Sequence, residues 1–246
     1  MNHKEDRQLT EGKDHLILAL DVEKVQEARE LLASLRGELK YVKIGHQLYA
    51  RGGMPFLREI MAQEYSLFLD IKVHDIPNTV FMAVDALASE GLWALTLHAG
   101  GGRKMLEEAR RAKEKSGGGT NLLGVTVLTS FDEASWEEAA PGCVLSDALK
   151  ARAALCRETG MDGIVCSPLD LPVVREAGKG LFTVVPGVRP AAANDDQARV
   201  ATPEKTIRTG ADYIVVGRPI VQAADRKSAL KAIVKGIEEG LKWKNQ

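Results

Sequence analysis

Eight short apolar runs recur along this chain, at residues 15–21, 39–45, 66–73, 92–98, 121–129, 163–167, 181–186 and 212–217. Most are too short and too continuous for amphipathic helices, and several are rich in valine and isoleucine. Such runs suit parallel strands covered on both faces. Between them lie stretches with helical spacing. Val25, Ala28, Leu32 and Leu35 recur at intervals of three and four within residues 22–35. Met105, Ala109 and Ala112 mark a second such face, and residues 148–157 and 229–241 behave similarly. Strand then helix, eight times over, predicts an α/β fold closed as a (β/α)₈ barrel, also called a TIM barrel.

The main rival is a doubly wound open sheet. Eight strands in 246 residues favour closure, because this barrel typically takes about 250 residues. With 45% hydrophobic residues the chain can fill a large core. No internal linker breaks the pattern, so residues 15–246 read as one catalytic domain and residues 1–14 as a polar arm. The 33 basic and 34 acidic residues are interspersed, which argues against a nucleic-acid partner. Cys143, Cys156 and Cys166 form no disulfide framework, which favours a reducing compartment. There is no apolar run of membrane-spanning length and no apolar signal core near the start. The expectation is a cytoplasmic protein with no membrane partner.

In such barrels the chemistry sits at the C-terminal ends of the strands. The third run carries Asp70 and Lys72, two residues apart and so expected on one face of a strand. The second run carries Lys43 near its end, and the first ends in Asp21. Three adjacent strands would then bring two carboxylates and two ammonium groups to one end of the barrel. Charges there must pair with one another, because burying an unpaired charge is prohibitive. A structural salt-bridge network is the bland alternative.

The eighth run ends in Gly217 and Arg218. Loops after strands seven and eight of this fold often hold a phosphate. A glycine allows close backbone approach, and a guanidinium offers a forked, permanent cation. After the seventh run, residues 186–197 form a long loop of small and polar residues, expected to act as a lid. His98 and His74 read as structural or supporting residues, and Cys166 as a buried apolar filler. No zinc spacing is present.

The segment from Asp70 to Thr79 resembles the D-x-K-x-x-D-I-P-N-T signature of the orotidine 5′-monophosphate decarboxylases, at all seven defined positions. Asp21, Lys43, Leu128-Thr129-Ser130, the Pro-Gly-Val-Arg-Pro segment and Gly217-Arg218 follow in the family's order. The resemblance spans roughly residues 15 to 240. It implies a homodimer with shared active sites that makes UMP without metal or organic cofactor. Lys43, Asp70 and Lys72 would form a charge network completed by Asp75 of the partner subunit, with Lys72 the proton donor. Asp21 and Lys43 would hold ribose hydroxyls, with Ile76 and Thr79 counted among the substrate-binding residues. Thr129 would lie beside the pyrimidine, and Gln197 would bridge base and phosphate. Gly217, Arg218 and Arg189 would bind the phosphate.

Two other functions compete. Metal-dependent sugar-phosphate decarboxylases and epimerases share a D-x-K-x-x-D core on the same barrel, but place a carboxylate where this chain has Lys43. A non-catalytic nucleotide-binding barrel would need Gly217 and Arg218 but not Lys72.

Overall fold

The computed structural model describes residues 11–190 and 201–244. Eight parallel strands close into a barrel in sequence order, each paired with the next and the eighth with the first. A 3₁₀ turn at Gly12–His15 leads into β1 (Leu16–Ala19), followed by α1 (Val25–Ser34), β2 (Tyr41–Gly45) and α2 (His46–Met61). Next come β3 (Ser66–Val73), α3 (Pro77–Ala88), β4 (Ala94–His98) and α4 (Gly102–Lys115). The fifth repeat carries an extra helix: β5 (Asn121–Val125), α5 (Glu133–Ala139), α6 (Leu145–Glu158). Then follow β6 (Gly163–Val165), α7 (Leu171–Ala177), β7 (Phe182–Val185) and α8 (Pro203–Arg208). The chain ends with β8 (Tyr213–Val216), α9 (Arg218–Val221) and α10 (Arg226–Lys244). The charged stretch expected over residues 1–14 overlaps the first turn, which packs on α10 through Gly12. Residues 1–10 and Gln197 lie outside the described residues.

The alternating pattern has two separate destinations. Outward residues such as Leu16, Leu18, Val42, Ile44, Leu67 and Leu69 join the helices in one large core. In α4 the predicted face is the buried one, with Met105, Ala109 and Ala112 all fully enclosed. Inward residues form a second core inside the barrel. Near the N-terminal ends of the strands it is an aromatic plug. Tyr213 lies 5.4 Å from Tyr41, 5.1 Å from Trp93 and 5.6 Å from Phe182, centroid to centroid. Towards the C-terminal ends the inward residues are smaller: Ala19, Val125, Val165 and Val215. Bulk at one end and small side chains at the other leave room for a cavity at the end where chemistry is expected.

One apolar run stops earlier, and one helix starts later, than the sequence pattern suggests. β5 ends at Val125, because its neighbour β6 offers no pairing beyond Val165. Residues 126–130 therefore leave the sheet as a loop. α1 starts at Val25, later than the apolar spacing suggests, because residues 20–24 form the loop that carries Asp21. α2 bends at Gly53, whose φ of 56° favours glycine, two residues before Pro55.

Tyr213→Ala empties the centre of the aromatic plug and is expected to cost about 3–5 kcal/mol of stability. The measurement is the shift in the urea unfolding midpoint; an unchanged midpoint would contradict this account of the lower barrel.

Candidate active site

A cavity of about 300 Å³ opens at the C-terminal end of the barrel. Its floor is apolar, from Ala19, Val125, Val165 and Val215, and its walls are charged. One wall is a row of alternating charges from three adjacent strand ends. Asp21 follows β1, Lys43 is on β2, and Asp70 and Lys72 are on β3. Lys43 Nζ lies 3.5 Å from Asp21 Oδ1 and 3.4 Å from Asp70 Oδ2. Lys72 Nζ donates to Asp70 Oδ1 at 2.9 Å. The β1–β2–β3 register explains the meeting: Ala19 pairs with Lys43, and Gly45 pairs with Asp70.

The middle of the row is enclosed while Asp21 at one end is 56% exposed, and the neighbours of Lys43 and Asp70 keep those two charged. Burial acts to lower the Lys43 pKa, but attraction to Asp70 and then Asp21 outweighs it, so Lys43 titrates above its ordinary value. Burial acts to raise Asp70, yet Lys43, then Lys72, then hydrogen bonds from Lys72 and Thr96 hold it below the usual carboxylate range. Lys72 ends the row. Its side chain is 31% exposed, against 12% for Lys43 and 14% for Asp70. Among the described residues Asp70 is the only carboxylate with which Lys72 forms an ion pair.

Regular alternation along β3 does not account for the Asp70–Lys72 contact. The register against β4 shifts between Leu69 and Val73, and Lys72 adopts a φ of 46°. A non-glycine residue held there costs about 1–3 kcal/mol, so the surroundings must impose it. The lysine reaches Asp70 from a bulge, not from an ideal strand.

The rest of the lining carries the expected ligand groups. Thr129 and Ser130 reach it on the loop after β5, Arg189 on the segment after β7, and Gly217 and Arg218 after β8. Arg189 is 6% exposed and donates from Nη1 to the Val188 carbonyl at 3.1 Å. A Cβ at Gly217 would stand 3.1 Å from Asp21 Oδ2 and 3.3 Å from Ala19 Cβ, a close fit that glycine relieves. Asp75, Ile76 and Thr79 do not line this cavity. Asp75 is exposed and accepts from the Ile76 N–H at 2.6 Å, and Ile76 itself is 67% exposed at the start of α3.

His98 stacks on His74 with ring centroids 5.0 Å apart, and its Nδ1 accepts from the Gly100 N–H. Burial, with lesser repulsion from Arg152, His74 and Lys72, pushes its pKa down to about 4, so it is neutral near pH 7. It lies outside the cavity lining, consistent with a structural part. Cys166 is fully buried in the outer core. Thr96 went unremarked in the sequence, although it is fully buried and touches both Asp70 and Lys72. It is the single hydroxyl among the inward positions of β4, a weak signal because a threonine in a strand is ordinary.

A family model described as "Orotidine 5'-phosphate decarboxylase / HUMPS family" matches residues 14–233. The orotidine 5′-phosphate decarboxylase of Halorhodospira halophila is 42% identical over 228 residues, covering 92% of this chain and 97% of that protein. The enzyme of the same name from Hahella chejuensis is 39% identical over 229 residues, covering 92% and 98%. A crystal structure of orotidine 5′-phosphate decarboxylase from Lactobacillus acidophilus aligns with a TM-score of 0.79 at 33% identity, covering 90% of this chain and 98% of that one.

Because its folded-state pKa is depressed, Asp70 contributes stability that is present above the unfolded carboxylate pKa. That contribution is lost as pH falls through the lower folded value. A carbon-13 NMR titration of the Asp70 carboxyl is expected to give a midpoint below that of an exposed aspartate, and a midpoint at or above the ordinary value would contradict the charge row.

Proposed function

The chain belongs to the orotidine 5′-phosphate decarboxylase / HUMPS family, and on that premise we propose that it converts orotidine 5′-monophosphate to UMP and carbon dioxide in de novo pyrimidine biosynthesis. The observation that carries this reading is the Asp21–Lys43–Asp70–Lys72 row. Loss of the C6 carboxylate leaves an electron pair in the plane of the ring, where the ring π system cannot absorb it. The charge must be met electrostatically where it develops. Lys72 supplies an ammonium at the open end of the row, aimed by Asp70. As the carbon–carboxylate bond breaks, that ammonium stabilises the C6 electron pair and then passes a proton to it, leaving UMP and carbon dioxide.

The remaining residues have binding roles in this reading. Asp21 and Lys43 take the ribose hydroxyls. Thr129 borders the pyrimidine. Gly217, Arg218 and Arg189 take the phosphate, so that binding energy remote from C6 is expressed in the transition state. Gln197, assigned from the resemblance to bridge base and phosphate, is outside the described residues. The metal-dependent alternative on this barrel is disfavoured by Lys43. Its ammonium stands between the two carboxylates that a cation would need, and a second positive charge there is repelled.

The reading includes a homodimer. Lys72 has an open side, while Asp75, Ile76 and Thr79 stand outside the cavity of their own chain. Met82 on α3 is also exposed, at 55%. In the dimer, Asp75 of the partner subunit faces Lys72, and Thr79 and Ile76 of the partner subunit close the ribose side. A cytoplasmic setting fits the three unpaired cysteines. Among the described residues no helix is long and apolar enough to cross a membrane.

The direct test follows the ultraviolet absorbance of orotidylate. The parent protein is expected to consume it, with EDTA making no difference. Lys72→Ala is expected to lose at least about 10²-fold in kcat, the scale of removing one preorganised charge partner. A Lys72→Ala protein that turns over as fast as the parent ends the proposal.

Site sharing has its own test. Subunits carrying Lys72→Ala are mixed with subunits carrying Asp75→Asn. Mixed dimers hold one doubly altered site and one intact site, so activity is expected to reappear. Dimers that mix and stay inactive would place Asp75 in its own chain's site.

A further inference from the structure

Thr96 faces the inside of the barrel, because its β4 neighbours Leu95 and Leu97 pack in the outer core while Ala94 lies in the inner one. Across from it β3 is irregular. Leu69 pairs with Leu95 and Val73 with Leu97, so three residues of β3, Asp70, Ile71 and Lys72, stand opposite Thr96 alone. The Thr96 hydroxyl closes that gap with two hydrogen bonds. Oγ1 accepts from the Lys72 backbone N–H at 2.8 Å and donates to Asp70 Oδ1 at 3.0 Å. The direction of both is forced, since an amide N–H only donates and an ionised carboxylate only accepts. The same Oδ1 receives the Lys72 ammonium at 2.9 Å. One hydroxyl therefore ties together the backbone and, through Asp70, the side chain of Lys72, at the residue whose φ is 46°. Thr96 is fully buried and does not line the cavity, so it touches no ligand there.

We infer that Thr96 is a positioning residue for proton delivery: its hydroxyl holds the bulge of β3 and so fixes where the Lys72 ammonium points. The inference rests on the reading of Lys72 as the proton donor. Without the hydroxyl, the Lys72 N–H and one lone pair of Asp70 lose their partner together. The bulge then relaxes towards an ordinary strand and the ammonium is displaced from the reacting carbon. Ground-state binding of ribose and phosphate, made by other residues, is retained.

Three variants separate this role from a merely structural one. Thr96→Val keeps the shape and removes the hydrogen bonds. Its kcat on orotidylate is expected to fall about 10²-fold, the scale of a 1 Å misplacement, with KM and UMP affinity within about threefold of the parent. Thr96→Ser keeps the hydroxyl and is expected to stay within about fivefold of parental kcat. Thr96→Cys, a weak hydrogen bonder of similar size, is expected to fall between them, and it serves should the valine protein fail to fold. Parental kcat in the valine or cysteine protein, or a serine protein as impaired as the valine one, overturns the inference. A crystal structure of Thr96→Val, or of Thr96→Cys in its place, decides the point without any turnover. Lys72 is expected to leave the left-handed region, and an unchanged φ with the Asp70 contact intact refutes the role of the hydroxyl. A parent chain that leaves orotidylate untouched refutes the functional reading instead, and the structural comparison still judges Thr96.

Discussion

Lys43 lies between Asp21 and Asp70 with only 12% of its side chain exposed, and the active end of the barrel depends on that arrangement. An ammonium this enclosed survives only because carboxylates stand on both sides of it. Asp70 in turn is kept ionised by Lys43 and Lys72. Removing Asp70 would leave the enclosed Lys43 with Asp21 alone and take from Lys72 its carboxylate, which is far more costly than an exposed pair is worth. Lys43 and Asp70 are therefore held charged together, and the β3 end of the row is an ammonium that faces the cavity.

The barrel makes the row possible. Three strand ends meet there because β1, β2 and β3 pair in register. The interior is graded to suit: aromatic rings fill the end where the strands begin, and alanine and valines leave space where they finish. Function and stability are thus divided along the barrel axis. The plug contributes burial at one end, while the other end spends part of it on closely held charges and a left-handed lysine. The cavity is apolar beneath and charged on its flanks.

Most of this site was legible before the fold was known. Asp21, Lys43, Asp70 and Lys72 stand at the ends of apolar runs, where charge has no place in packing, and Gly217-Arg218 follows the last run. These signals are local and survive in one dimension. Ser130 came into view only inside a longer motif. Thr96 did not come into view, because a threonine in a strand is ordinary until its neighbour is known to be bulged. Asp75, Ile76 and Thr79 carry the family signature yet lie outside their own chain's cavity, which no reading of one chain's strand pattern would indicate.

The sequence by itself determined the alternation of strands and helices, the end of the barrel that carries chemistry, and the identity of the charged groups. Hydrophobic period and the cost of burying charge are properties of short segments, so they can be read along the chain. Only the tertiary structure decided how Lys72 meets Asp70. Period-two alternation placed them on one face, but the register of β3 against β4 slips, and the contact is made from a bulge with Thr96 opposite. Register is set by pairing between segments more than twenty residues apart, and the energy that holds a left-handed lysine comes from partners that only the closed barrel brings within hydrogen-bond reach.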